Sequence, residues 1–478
     1  MWKNLPHCFF FSLNLPTFTF QSIYVSSILS TMAVRMSDAR SRGFSNPLQP
    51  TSHESKNGSV IIVGAGAAGM YAAHLLAEKG GEIVVLEARE THGGRIRPLD
   101  NFADFPVELG AEQVHGQNSI YYKIIEKCEV SLINEQTKDY YFINGQLLDK
   151  NAARENKDFK KAMELVSSIS EYEGADISLL QYIQNQGIDE SVWHIINAEV
   201  ANEHGTSAER IGMLGLAYEA QHWEAGEENL ILADRSHLSI LEEYFKDILR
   251  FVEYTKVVKS IDYTGEVVKV STQDGGVYEA DAVLITVPIS ILKGNALDFF
   301  PALPPDKLRA ISKIGMDAGM KVMLKFKKPF WEAQTGSIYG QLIPEYWVSS
   351  EGKSTQSHII TAFVHGKNAE YLTTQGASAI TFIVRELDEI FGNSLASTHL
   401  QDTYIMDWSK ETFIKGTYSY DTVGIGDSRK VLAQPVQNIV FFAGEATCTN
   451  GHHASIHGAL ESAERAVAQI WSAWEKNK

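Results

Sequence analysis

SVIIVGAGAAGMYAAHLLAEKGGEIVVLEARETHGGR, residues 59–95, decides how the rest of the chain is read. Val60-Ile61-Ile62-Val63 is a short apolar run of the kind that forms a strand buried on both faces. Gly64, Gly66 and Gly69 follow in G-x-G-x-x-G spacing. Ala67 and Ala68 open an Ala- and Leu-rich run that predicts a helix up to Gly80-Gly81. A second apolar strand, Ile83 to Leu86, ends on Glu87. In this setting Gly64 permits the tight turn, Gly66 lets the backbone approach a pyrophosphate, and Gly69 lets helix and strand pack closely. The helix N-terminus offers unpaired N–H groups and a partial positive charge to the phosphates. Glu87 is placed to accept hydrogen bonds from an adenosine ribose, and Ala88 and Arg89 continue the segment. His92-Gly93-Gly94-Arg95 then forms a second backbone loop, whose fixed positive charge suits the same pyrophosphate. A lone glycine turn is weak evidence. Strand, glycines, helix, strand and acid in that order are strong.

Downstream, Phe105 to Gly116 reads FPVELGAEQVHG. Gly110, Ala111 and Glu112 belong to a stretch whose small residues suit a backbone passing close to something flat. His115 lies just beyond and by itself reads as structural or solvated. From there to about Leu230 no dinucleotide signature occurs. Tyr140 to Gln146 predicts a hairpin with an Asn144-Gly145 turn. Phe159–Ser170 and Leu179–Gln186 predict amphipathic helices. Residues 254–288 read as a β-meander whose last strand, Ala282 to Val287, is wholly apolar and ends at Pro288. Within it Val258 and Ile261 suit either an adenine contact or ordinary core. Gly319 to Phe326 predicts a strand with Met320, Val322, Leu324 and Phe326 on one face and Lys321, Met323 and Lys325 on the other. By pattern alone Lys321 is an edge lysine facing water. Asn438 to Phe442 is a further buried strand that runs into Ala443-Gly444-Glu445-Ala446. Ser455 is a plausible N-cap for a helix running from Ile456 through Trp474. His452 and His453 lack a third ligand at metal-binding spacing and read as loop residues, so no metal is expected.

At 478 residues the chain predicts two closely packed domains rather than one core. A 44% hydrophobic and 21% charged composition is ordinary for a globular protein. A net charge of -17 argues against a nucleic-acid surface and suits cationic substrates. Cys8, Cys128 and Cys448 make neither a disulfide framework nor a metal site, and a reducing, cytoplasmic setting is the easier fit. Residues 1–55 read as a leader: a targeting or signal peptide, a disordered tail, or translation upstream of a start at Met32 or Met36. Their apolar run is too interrupted for a stable membrane span.

Together VIIVGAGAAG, LEAR, GGR, ELGAE, ADAVLITVP, GMKVMLKF, GTYS (Gly416–Ser419), FFAGEA and IHGALESAE resemble the flavin-containing amine oxidase family, over essentially Val60 to Gln469. The resemblance implies FAD and an α/β fold: an FAD-binding Rossmann-type domain with a second α+β substrate domain, both built from discontinuous segments. The boundaries are expected at 56–116, 231–295 and 405–478 for the FAD domain, and at 117–230 and 296–404 for the substrate domain. By the same resemblance Glu87 holds the ribose, Arg95 the pyrophosphate, Glu445 the ribityl and phosphate region, and Val258 the adenine. Gly444 and Ile456 belong to the same cofactor-binding segments. Trp408 walls the flavin, and Lys321 holds a water against flavin N5. His115 falls where polyamine oxidases carry WIHG, here QVHG. The expected chemistry is oxidation of a neutral amine by dioxygen to an aldehyde, a released amine and hydrogen peroxide.

Departures from the family refine this expectation. Thr417 stands where monoamine oxidases carry the cysteine that bonds to FAD, so non-covalent FAD is expected. Tyr418 matches one tyrosine of their aromatic cage. The other falls at or near Ser455, after a loop, GEATCTNGHHAS, about one residue longer than usual, which favours the polyamine oxidase branch. The histone demethylase branch carries a long helical insertion and an N-terminal domain that this reading does not find. The catalytic set expected is therefore Lys321, His115 and Tyr418, acting on a small cationic amine and O2. Glu219, Glu224, Glu227 and Glu228 are candidates for attracting that cation. An L-amino-acid or monoamine oxidase is the alternative enzyme, and a non-catalytic flavin-binding interaction protein is the alternative of another class.

Overall fold

A computed structural model describes residues 58–134, 137–226, 228–294 and 296–476. The expected leader and Glu227 lie outside them. Five parallel strands form one sheet, in the order Val252–Glu253, Glu82–Leu86, Ser59–Val63, Ala282–Ile285, Val440–Phe442. The central strands are apolar on both faces because both faces are covered. On one side Ala67–Glu78 and the C-terminal helix Ile456–Lys476 pack together, with Leu76, Leu460, Val467 and Ile470 buried between them. On the other side lies a small sheet of Val258–Asp262, Val268–Thr272, Val277–Ala280 and Asp298–Phe300.

The predicted meander is thus interrupted. Its first three strands pair antiparallel, but Ala282–Ile285 leaves them and inserts between Ser59–Val63 and Val440–Phe442. The cause is composition: every residue of Ala282–Ile285 is buried, which a half-exposed antiparallel ribbon cannot provide.

The second large sheet has seven strands, in the order Leu400–Asp407, Gly319–Phe326, His358–His365, Glu345–Val348, Thr335–Tyr339, Lys138–Ile143, Gln146–Asp149. The hairpin at its far edge turns through Asn144 and Gly145, both at positive φ, as an Asn-Gly turn requires. Gly319–Phe326 lies between two neighbours rather than at an edge. Its Met320, Val322, Leu324 and Phe326 enter one core, and Met323 enters another. Lys321 is therefore buried, contrary to the edge position its pattern suggests.

Candidate active site

The carboxyl ends of parallel strands are where open α/β sheets bind ligands. Ser59–Val63 ends at Gly64, which adopts φ 107. A Cβ on Gly69 would stand 1.9 Å from the Gly64 carbonyl, so only glycine lets helix and turn approach this closely. The helix begins at Gly66 without a side-chain cap, leaving its first amides available, and a Cβ at Gly66 would meet open space. Glu87 closes the next strand. Its carboxylate accepts from the backbone N–H of Ala65 (2.8 Å) and Arg89 (2.9 Å), tying the turn to the acid.

A cavity of about 730 Å³ runs from this turn to the seven-stranded sheet. Of the residues expected at the cofactor, Ala67, Ala68, Arg95, Gly110, Ala111, Glu112, Trp408, Gly444, Glu445, Ser455 and Ile456 are on its wall. Gly64, Gly66, Gly69, Glu87, Ala88, Arg89, Gly94 and Val258 are not. They surround the glycine turn or, for Val258, lie in the core beneath the small sheet. All three expected catalytic residues, Lys321, His115 and Tyr418, line the same cavity.

Charge is fixed in the wall by pairs. Arg95 donates to Glu445 (2.9 Å) and to the Thr417 carbonyl (2.7 Å). Glu445 also accepts from Ser419 Oγ (2.6 Å) and the Ala454 amide (3.0 Å). Burial raises the Glu445 pKa, but Arg95, Ser419 and Arg429 outweigh it and hold it at about 2. Arg429 sits behind, donating to Asp421 (2.6 Å), Ser419 (2.7 Å) and the Ala446 carbonyl (3.1 Å).

Lys321 donates to Glu112 (2.7 Å), to the Gly110 carbonyl (2.8 Å) and more loosely to the Glu108 carbonyl (3.3 Å). Its ammonium also stands 4.8 Å from the Trp347 ring. Lys321 is thus ion-paired, because Glu112 arrives from the ELGAE loop. Trp408 donates its indole N–H to the Leu109 carbonyl (2.9 Å), fixing its ring against that same loop. Ser455 caps the C-terminal helix by accepting from the Gly458 amide (2.9 Å).

Tyr418 donates to the Glu203 carbonyl (2.8 Å), and its ring fits over Gly205, where a Cβ would be 2.6 Å away. His115 donates Nδ1–H to Asn229 Oδ1 (2.8 Å), and burial pushes its pKa down. Around these residues stand Glu199, Glu203, Glu345 and His204, which carry no signal in the sequence, together with Glu219 and His453. Burial lifts Glu199 to about 7. Burial likewise raises Glu203 and Glu345, and the Glu203 charge raises Glu345 further. Glu203 is exposed only in the sense that it faces the cavity; it lies deep in the fold. Of the four glutamates suggested for cation attraction, Glu219 reaches the wall, whereas Glu224 and Glu228 do not. Among the described residues no group of His, Cys, Asp and Glu has metal-binding geometry, and no helix is long and apolar enough to cross a membrane.

The wall fits a flavin dinucleotide. Uncapped helix amides, open space at Gly66 and the buried, unpartnered hydroxyl of Thr417 are the groups such a ligand would engage. Comparison with known proteins agrees. Among curated relatives, the mouse lysine-specific histone demethylase 1B is 28% identical over 453 residues, 87% of this chain and 53% of its own length. The chain therefore spans about half of that relative. Polyamine oxidase 4 of Oryza sativa subsp. japonica is 26% identical over 84% of this chain and 86% of its own length. Among solved structures, a triple mutant of putrescine oxidase matches with TM-score 0.76 and 19% identity, covering 87% of this chain and 99% of its own. Cyclohexylamine oxidase from Brevibacterium oxydans IH-35A matches with TM-score 0.76 and 17% identity, covering 88% and 100%. The family model described as flavin containing amine oxidoreductase matches residues 67–471. On this match the chain belongs to the flavin-containing amine oxidoreductase family.

Proposed function

We propose that the chain oxidises a polyamine or a related amine that carries a second cationic nitrogen, with dioxygen as acceptor. The observation that supports this most is where Glu345 sits. Lys321, Phe363 and Glu345 are direct cross-strand partners on three adjacent strands, so they share one sheet face. That places Glu345 two strand spacings, on the order of 10 Å, from Lys321. Glu203 and Glu199 join Glu345 at that end of the cavity. A substrate nitrogen near Lys321 leaves a second ammonium to meet this acidic end. An L-amino-acid oxidase needs a cation for the substrate carboxylate, and the Arg on this wall, Arg95, is already paired with Glu445.

When bound, FAD would supply the two-electron chemistry that turns the amine into an imine, with dioxygen as the final acceptor. The chain's part is placement. Arg95, Ala67 and Ala68 would hold the pyrophosphate, and Trp408, Gly110 and Ala111 would wall the ring. The N-terminus of Ile456–Lys476 supplies a positive end near the flavin. Tyr418 and His115 wall the substrate, and Lys321 with Glu112 orients groups at the reacting face. Thr417 offers no bond to carbon, which favours non-covalent FAD.

The test is peroxide release with spermine, spermidine, acetylated polyamines, aromatic amines, L-amino acids and a methylated-lysine peptide. Turnover of the polyamines, weakened at least about tenfold in Glu345→Gln, is expected. Turnover confined to amino acids or to the peptide overturns the polyamine reading. Peroxide from none of them favours a flavin-binding interaction protein.

A further inference from the structure

The reaction sketched above demands a neutral amine, because the nitrogen lone pair must become the C=N bond as the hydride leaves. Polyamines arrive as ammonium ions, so the site has to take a proton before chemistry begins. Lys321 cannot be that acceptor while it donates to Glu112, Gly110 and Glu108. The remaining candidates are imidazoles on the cavity wall.

Glu219, on the helix Met213–His222, is paired with two of them through the same oxygen. His204 Nε2 is 3.1 Å from Oε2, and His453 Nε2 is 3.2 Å from it. His204 also gives its Nδ1–H to the Val200 carbonyl (2.7 Å), which can only accept. Both His204 nitrogens therefore carry protons, and the ring is an imidazolium. Its pKa agrees: burial lowers it, but Glu219 outweighs burial and brings it to about 9. Glu219 is correspondingly held well below the usual carboxylate range, burial being outweighed by His453 and His204.

His453 is different. Its Nε2–H is committed to Glu219, so in the neutral ring the lone pair is on Nδ1. Among the described residues Nδ1 has no hydrogen-bond partner, and His453 lines the cavity beside Ala454, Ser455 and Ile456. This is also the wall that Tyr418 reaches, through its contact with Gly205, the neighbour of His204.

We infer that His453, oriented by Glu219 and backed by the His204 imidazolium, is the base that accepts the proton of the substrate ammonium. The inference rests on the amine-oxidase reading of this site. In the step, one N–H bond of the ammonium breaks and its electron pair stays on the amine nitrogen. The proton forms a new bond to His453 Nδ1, and the resulting imidazolium faces the Glu219 carboxylate. Glu219 and His204 are positioning residues; His453 is the catalytic one.

Other titratable groups around the triad do not take this place. His115, which feels Glu219 from the neighbouring strand, is oriented by an uncharged amide, so protonation there gains little. His452 is engaged by Glu461 (2.9 Å) and the Glu224 amide (3.1 Å), and His457 is held well below its ordinary pKa, to about 3, by burial. Glu203 stands against Glu345, whose pKa it raises, and Glu445 belongs to Arg95.

The experiment measures anaerobic flavin reduction by spermidine from about pH 6 to about pH 10 in the flavin-loaded wild type, His453→Gln and Glu219→Gln. Flavin content and melting temperature are recorded alongside. At neutral pH both variants are expected to lose about 100-fold in the second-order reduction rate, the lower range of general-base contributions. The loss should shrink to within about threefold near pH 10, where the substrate ammonium ionises unaided. A loss equal at every pH, or none, overturns the inference. Should His453→Gln fail to load flavin, Glu219→Gln carries the same pH criterion, since it removes the orienting charge and leaves the loop residue in place. A wild type inert toward spermidine instead overturns the polyamine reading itself, which separates the two failures.

Discussion

Lys321 is a residue whose neighbours redefine it. Its strand pattern alternates like any half-buried strand, yet the ELGAE loop lies over its tip and converts an apparent surface amine into one arm of an ion pair. If this pair orients groups at the reacting face, Lys321→Met slows flavin reduction and reoxidation by at least about tenfold. Stopped-flow traces indistinguishable from wild type would remove Lys321 from the catalytic set. A second residue-scale expectation concerns Thr417, buried on the cavity wall with an unpartnered hydroxyl. Acid precipitation of the loaded protein should leave the flavin in solution; yellow precipitate would mean a covalent bond elsewhere. The residues that bind cofactor were legible because they sit in contiguous motifs. Glu203, Glu345 and His204 were not, because each has ordinary neighbours in sequence, and Glu219 and His453, though singled out, were not tied to one another. They meet only when a strand, a helix and a loop converge, and no local spacing encodes that convergence.

The element that ties the cofactor end together is the short helix Ser428–Ala433, which no motif announces. It carries Arg429, buried and bonded to Asp421, Ser419 and Ala446, so that Ser419 in turn holds Glu445 toward Arg95. Lys307, also buried, donates to the carbonyls of Val431, Leu432 and Gln434 and so closes the C-terminal end of that helix. Removing one partner of a buried pair leaves the other charge uncompensated, at a cost of about 3–5 kcal/mol. Arg429→Met is therefore expected to lower the melting temperature and to weaken flavin binding together, measured by thermal unfolding and by fluorescence titration of the stripped protein with FAD. Unchanged flavin affinity would mean that Glu445 is held in place without this chain of contacts. At this scale the sequence was readable wherever composition dictated burial. The wholly apolar Ala282–Ile285 demanded covering on both faces, and its departure from the meander follows from that demand rather than from its position in the chain.

For the molecule as a whole, buried titratable groups set a pH window of stability. His237, His365 and His457 are kept neutral by burial, with pKa values brought down to about 4, 3 and 3. Below the ordinary histidine value the unfolded chain binds protons these rings refuse, so their contribution is lost as pH falls below about 6.5. On the other side Glu108 and Glu199 are raised by burial to about 8 and 7, and His204, through Glu219, to about 9. The folded chain there holds protons that the unfolded chain gives up, so stability falls as pH rises toward about 9. Glu108 allows a clean check. It is buried, accepts from the His237 amide through one oxygen (2.7 Å), and leaves the other without a partner. Glu108→Gln keeps the shape and the accepting oxygen but removes the ionisation. Melting curves of the flavin-loaded proteins should nearly coincide at about pH 5. At about pH 8.5 the variant should be the more stable, by a few kcal/mol at most given about 1.4 kcal/mol per pKa unit. Parallel curves across the range would mean that Glu108 titrates alike in the folded and unfolded chains, and that the alkaline limb belongs to Glu199 and His204.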